Sequence, residues 1–217
     1  MLPHSTTSQE QEPLAALRRF ARPRAAAERC DLCSAALAAE HEHLVDSANR
    51  QLLCACTACA VLFSSQEATR LRRVPRHVRF LPDFRLSDVQ WNSLMIPIGL
   101  AFFFRSSVAG KVTAIYPSPA GATESLLDLA AWDELVEENP VLQQMEPDTQ
   151  ALLVNRVRDA RQYYLVPIDE CYKLVGLIRA HWKGLSGGGA VWEQMQQFFD
   201  ALRKRSGSIS QGASCPT

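Results

Sequence analysis

The sequence predicts an α+β protein in two parts, a small zinc-ribbon-like module followed by a larger mixed α+β domain. Three observations predict it. Cysteines and histidines crowd into residues 30–59, where they alternate with short strand-like runs. Beyond residue 76, β-rich apolar runs alternate with stretches of helical periodicity. An arginine-rich segment separates the two regions.

The module spans residues 29–65. It opens on Cys30-Asp31-Leu32-Cys33, continues through His41-Glu42-His43 and closes on Cys54-Ala55-Cys56-Thr57-Ala58-Cys59. Of the seven cysteines and five histidines in the chain, five and two fall here, a density that points to metal binding. In a C-x-x-C pair, a tight turn aims both sulfurs at one point and offers backbone N–H groups to the thiolates. Two such knuckles supply the four sulfurs that zinc takes tetrahedrally, so Cys30, Cys33, Cys56 and Cys59 are the expected ligands. Between the knuckles, His43-Leu44-Val45 and Gln51-Leu52-Leu53 read as strands joined by the turn-forming Asp46-Ser47-Ala48-Asn49. Knuckle, hairpin and knuckle make a ribbon, and a unit this small takes much of its folding energy from the metal.

Three ligand-capable residues exceed what one zinc needs: His41, His43 and Cys54. Period 2 sets His41 and His43 on one strand face, and Cys54 with Cys56 likewise. A mixed site using Cys54 or one histidine, and a binuclear or iron–sulfur site using most of the seven, stand beside the four-cysteine site. A Rieske-type cluster needs two histidines and two cysteines, but its usual close Cys–His spacings do not occur here. A catalytic zinc of the deaminase kind would read H-x-E and then P-C-x-x-C. This chain has His-Glu-His and no proline before Cys56, which favours a closed structural site and a protein that is not an enzyme.

Residues 1–28 form an N-terminal arm expected to be mobile, with a short helix opening at Pro13 and ending before Pro23. Residues 66–75 form the arginine connector. Its arginines could grip phosphates, making a zinc-ribbon nucleic-acid binder a further alternative, but the formal net charge of zero favours ion pairs, for example to the acidic residues 133–138.

Residues 76–205 form the α+β domain. Strands are expected at 77–81, within 94–104, and at 111–116, 151–157 and 163–168, with a loop forced at 117–121. Helices are expected at 125–138, from an Asp169 N-cap to Trp182, and from Val191 to the basic run Arg203-Lys204-Arg205. Gly187-Gly188-Gly189 lacks the phosphate-loop pattern and reads as a connector. Cys171 reads as a core thiol and His181 as a packed histidine. Asp169, Arg156 and Tyr172 could make a polar group at a strand end. Residues 206–217, with Cys215, read as a disordered tail. No apolar run reaches the ~20 residues of a membrane span. The start lacks a secretory pattern, so a cytoplasmic protein with reduced cysteines is expected.

These motifs resemble those of an uncharacterised bacterial family with an N-terminal CxxC…HxH…CxCxxC module. The resemblance runs over residues 29–205 and rests on the cysteine motifs, Trp91 with 96–102, 116–125, Ala151-Leu152-Leu153-Val154-Asn155-Arg156 and Val166-Pro167-Ile168-Asp169-Glu170-Cys171-Tyr172. Genes of that family are similar in setting to accessory genes beside [NiFe]-hydrogenase structural genes. The resemblance therefore implies a metal-binding accessory protein in hydrogenase assembly, maturation or electron delivery, with hydrogenase subunits or maturation factors as partners. It implies no catalytic residues. An iron–sulfur electron-transfer protein is the alternative.

Overall fold

A computed structural model describes residues 28–64, 70–125, 129–184 and 187–207. The expected N-terminal helix and the tail with Cys215 lie outside the described residues. The chain begins with a three-stranded antiparallel sheet. Strands β1 (Glu42–Asp46) and β2 (Gln51–Ala55) form the expected hairpin. Its turn is held by local chemistry: the Arg50 N–H donates to the Asp46 carbonyl (2.7 Å), the Ala48 N–H to Asp46 Oδ1 (3.1 Å) and the Gln51 N–H to Asn49 Oδ1 (2.9 Å). Helix α1 (Thr57–Ser64) starts within the second knuckle.

The segment expected as a connector contributes strand β3 (Leu71–Arg73), which pairs with the free edge of β1. Its arginines face local acids instead of residues 133–138. Arg73 and Arg76 both pair with Glu42 at 3.0 Å, Arg70 with Asp46 at 3.0 Å and Arg72 with Asp148 at 3.3 Å. The hydrogen bond from Arg73 holds the Glu42 carboxyl below its ordinary range, against the opposing effect of burial.

The second sheet has six strands in the order β4-β9-β8-β5-β6-β7, all antiparallel. They are β4 (Arg79–Phe80), β5 (Leu100–Ser106), β6 (Lys111–Ser118), β7 (Gly121–Ser125), β8 (Gln150–Asn155) and β9 (Gln162–Pro167). Helices α2 (Asp88–Ser93) and α3 (Leu129–Glu138) cover one face, and α4 (Ile168–His181) and α5 (Gly188–Gly207) the other. On one side Phe102, Phe104, Leu153 and Tyr164 meet Leu174, Ile178, Phe198 and Leu202. On the other, Phe103, Leu152 and Val154 meet Trp91, Trp132 and Leu135. Burial on both faces explains why the central strands read as unbroken apolar runs.

Several expectations are corrected here. Part of the stretch 94–104 closes helix α2, which the capping box Ser87-x-x-Gln90 announces. The loop expected at 117–121 is a tight hairpin, because β6 runs through Pro117 to Ser118 and pairs with the unforeseen edge strand β7. The helix expected from 125 is described from Leu129, and Ser125 belongs to β7. Pro167, not Asp169, precedes the first residue of α4, which leaves the Asp169 side chain free for another partner.

The two sheets share a core. Val45 of β1 and Val74 after β3 are buried in the same cluster as α4, α5 and the inner face of the large sheet, and Leu52 packs against it. The ribbon is therefore anchored to the larger unit.

Gly99, just before β5, marks the tightest backbone approach. A Cβ there would lie 2.6 Å from the Arg156 carbonyl oxygen, and the Arg156 N–H donates to the Gly99 carbonyl at 2.6 Å. Gly99→Ala is expected to destabilise by about 1–3 kcal/mol, since backbone must give way. A thermal melt checks this, with a lowered Tm expected.

Candidate metal centre

The hairpin register brings the two knuckles together. Glu42 lies opposite Ala55 and His43 opposite Cys54, so β2 delivers Cys56 and Cys59 to the open end of the ribbon. The first knuckle is tied there by reciprocal bonds: the Asp31 N–H donates to the Cys54 carbonyl (2.9 Å), and the Cys54 N–H donates to Asp31 Oδ2 (2.7 Å). The Ser34 N–H closes the knuckle onto the Cys30 carbonyl (2.8 Å), with Ser34 itself at φ 63°. In the second knuckle the Cys59 N–H points at Cys56 Sγ, 3.5 Å away.

The sulfurs of Cys30, Cys33, Cys56 and Cys59 lie within 4.8 Å of one another. Cys33 and Cys56 are 3.7 Å apart. A tetrahedron of sulfurs around zinc at 2.3 Å has edges of about 3.8 Å. The group could therefore hold a single metal ion such as zinc. Cys30 and Cys59 face the ribbon's small core with Leu44, Ala55 and Ala60, while Cys33 is exposed.

The backbone favours the charged form at one of these sulfurs, Cys30. Burial raises the Cys30 thiol, but N–H groups of Cys56, Cys33 and Leu32 outweigh it and bring it down to about 6. Burial and the neighbouring sulfurs push Cys59 up to about 12. A divalent ion is what would let all four thiolates coexist.

The three surplus residues form a separate group. His41, His43 and Cys54 each offer a donor atom, all within 4.8 Å of one another. His43 Nδ1 lies 2.7 Å from Asp169 Oδ2, in the first turn of α4. Both histidines converge with one cysteine, whereas a Rieske cluster requires two.

The polar group expected from Asp169, Arg156 and Tyr172 does not form. Arg156 donates to the Leu86 and Ser87 carbonyls, at 3.0 and 3.1 Å, and pairs with Asp88. The Tyr172 ring meets Phe102 edge-on. Cys171 is fully buried, and burial pushes its thiol well up, as suits a core residue. His181 is satisfied within its own helix by the Leu177 carbonyl at 2.9 Å.

A protein-family model described as "Family of unknown function (DUF5947)" matches residues 29–206. The chain belongs to this family. The match begins just before the first knuckle and ends within α5, so the cysteine cluster and both sheets fall inside it. Among curated proteins and among solved structures, none matches the chain. Among the described residues, no helix is long and apolar enough to cross a membrane.

Asp31 makes a specific prediction. Asp31→Ala removes the acceptor of the Cys54 N–H and is expected to cost about 1–2 kcal/mol. Amide exchange checks this: Cys54 should lose protection while strands β8 and β9 keep theirs.

Proposed function

We propose that this DUF5947 protein is a zinc-binding accessory protein in which Cys30, Cys33, Cys56 and Cys59 hold a structural zinc ion. The observation that carries the reading is the convergence of the four sulfurs at single-ion distances. A site with four protein thiolates leaves no coordination position for a substrate, so its contribution is to shape a surface. The ribbon it shapes is fixed to the larger sheet through Val45 and Val74 and presents helix α1, on which Val61 is 52% exposed. Such a surface suits the docking of a protein partner. The resemblance of the chain's motifs to a family encoded near [NiFe]-hydrogenase genes supports hydrogenase subunits or maturation factors as those partners.

Two experiments test this. Protein purified anaerobically is expected to be colourless and to keep one zinc through dialysis against a moderate chelator, while Cys33→Ser and Cys56→Ser lose it. Brown protein with visible absorption would overturn the zinc assignment. Deleting the gene is expected to lower hydrogenase activity in the cell, and unchanged activity would overturn the accessory role.

A further inference from the structure

The group beside the four-cysteine cluster has the features of a second site. His43 and Cys54 are a cross-strand pair, and His41, just before β1, packs beside His43. The two imidazole rings meet edge to face with centroids 4.8 Å apart.

Hydrogen bonding fixes which nitrogen each histidine offers. The Asp169 carboxylate is an acceptor 2.7 Å from His43 Nδ1, so in the neutral imidazole that nitrogen carries the proton and Nε2 keeps its lone pair. The Ala38 carbonyl is likewise an acceptor, 3.0 Å from His41 Nδ1, and leaves Nε2 of His41 as a lone pair. That His41 Nε2 is buried and has no hydrogen-bond partner. The His41 side chain as a whole is only 8% exposed. A buried acceptor without a donor is unfavourable unless something else binds it. A carboxylate on the far nitrogen of an imidazole is the arrangement that orients histidine ligands at metal sites.

We infer that His41, His43 and Cys54 form a second metal site, for a divalent ion of the zinc class, with Asp169 as the residue that positions His43. Imidazole and thiolate donors together suit borderline ions of this class. Three protein donors leave a fourth position for water or for a donor from outside the chain, unlike the closed four-cysteine site. The second ion is therefore the more weakly held and the more readily exchanged. Bound metal also makes the Nδ1–H of His43 more acidic, which strengthens its bond to Asp169 across the boundary between the ribbon and α4. The site is independent of the four-cysteine assignment, because it shares no ligand with it.

The test is an anaerobic titration of the full chain with Zn(II), and in parallel with Co(II), counting bound metal before and after dialysis against a moderate chelator. Two equivalents are expected before dialysis and one after. The second cobalt equivalent should add weaker thiolate-to-metal absorption than the first, since it has one sulfur ligand. His41→Gln and Cys54→Ser should each remove the second equivalent and keep the first. Cys54 is only partly buried, so its variant serves if His41→Gln fails to fold. Asp169→Asn should weaken the second equivalent about 10–100-fold without changing the first, and Asp169→Glu should recover part of that loss. Saturation of the wild-type chain at a single equivalent would overturn the proposal, as would a second equivalent that survives unchanged in both His41→Gln and Cys54→Ser. Loss of the chelator-resistant equivalent would instead count against the four-cysteine site.

Discussion

His43 stands opposite Cys54 because the hairpin closes through residues 47–50 in one register, with Asp46 opposite Gln51. Every donor group in the ribbon takes its position from that pairing. It places Leu44 and Ala55 in the ribbon core, and it carries Cys56 past the end of β2 toward the knuckle that Asp31 ties to Cys54. A slip of one residue would turn each side chain of one strand to the opposite face. Leu44 would leave the core, His43 would lose Cys54, and Cys56 would move away from Cys33. The turn resists such a slip, since Asp46 and Asn49 both accept bonds from the backbone beside them and Arg50 adopts a left-handed φ of 60°.

The apolar core around this register is small: Leu44, Ala55 and Ala60 with Cys30 and Cys59. Burial on that scale does not order a three-stranded unit by itself. Two further sources of order are available to it. One would be a metal held between the knuckles, which would contribute folding energy directly. The other is the larger sheet, reached through Val45 and Val74 in the shared core, through the ion pairs Arg72–Asp148 and Arg50–Glu124, and through His43–Asp169. The ribbon and the α+β unit are thus coupled at the face where His43 meets Asp169 of α4.

Parts of this arrangement were legible in the sequence, and the reasons differ from element to element. The β1–β2 hairpin announces itself through Asp46 and Asn49, whose side chains cap the turn locally. The four-cysteine group follows from two knuckles of regular spacing. Strand β3 was hidden among arginines, because an edge strand tolerates charge on every exposed position. Strand β7, with the sequence Gly-Ala-Thr-Glu-Ser, was hidden because its residues are small and polar, at the far edge of the large sheet. Asp169 was visible as a helix-start residue and as a member of a polar group with Arg156 and Tyr172, not as a partner of His43. Its bond to His43 spans 126 positions, and no local pattern carries such a pairing. The ligand surplus His41, His43 and Cys54 was plain from spacing, but its separation from the four cysteines needed the register.

The proposed zinc is a single ion among four sulfurs. X-ray absorption at the zinc edge, on protein dialysed against a moderate chelator to leave only the tightly held metal, reads that environment directly. A single shell of four sulfurs at about 2.3 Å is the expected result. A shell containing nitrogen or oxygen donors at about 2.0–2.1 Å would contradict it.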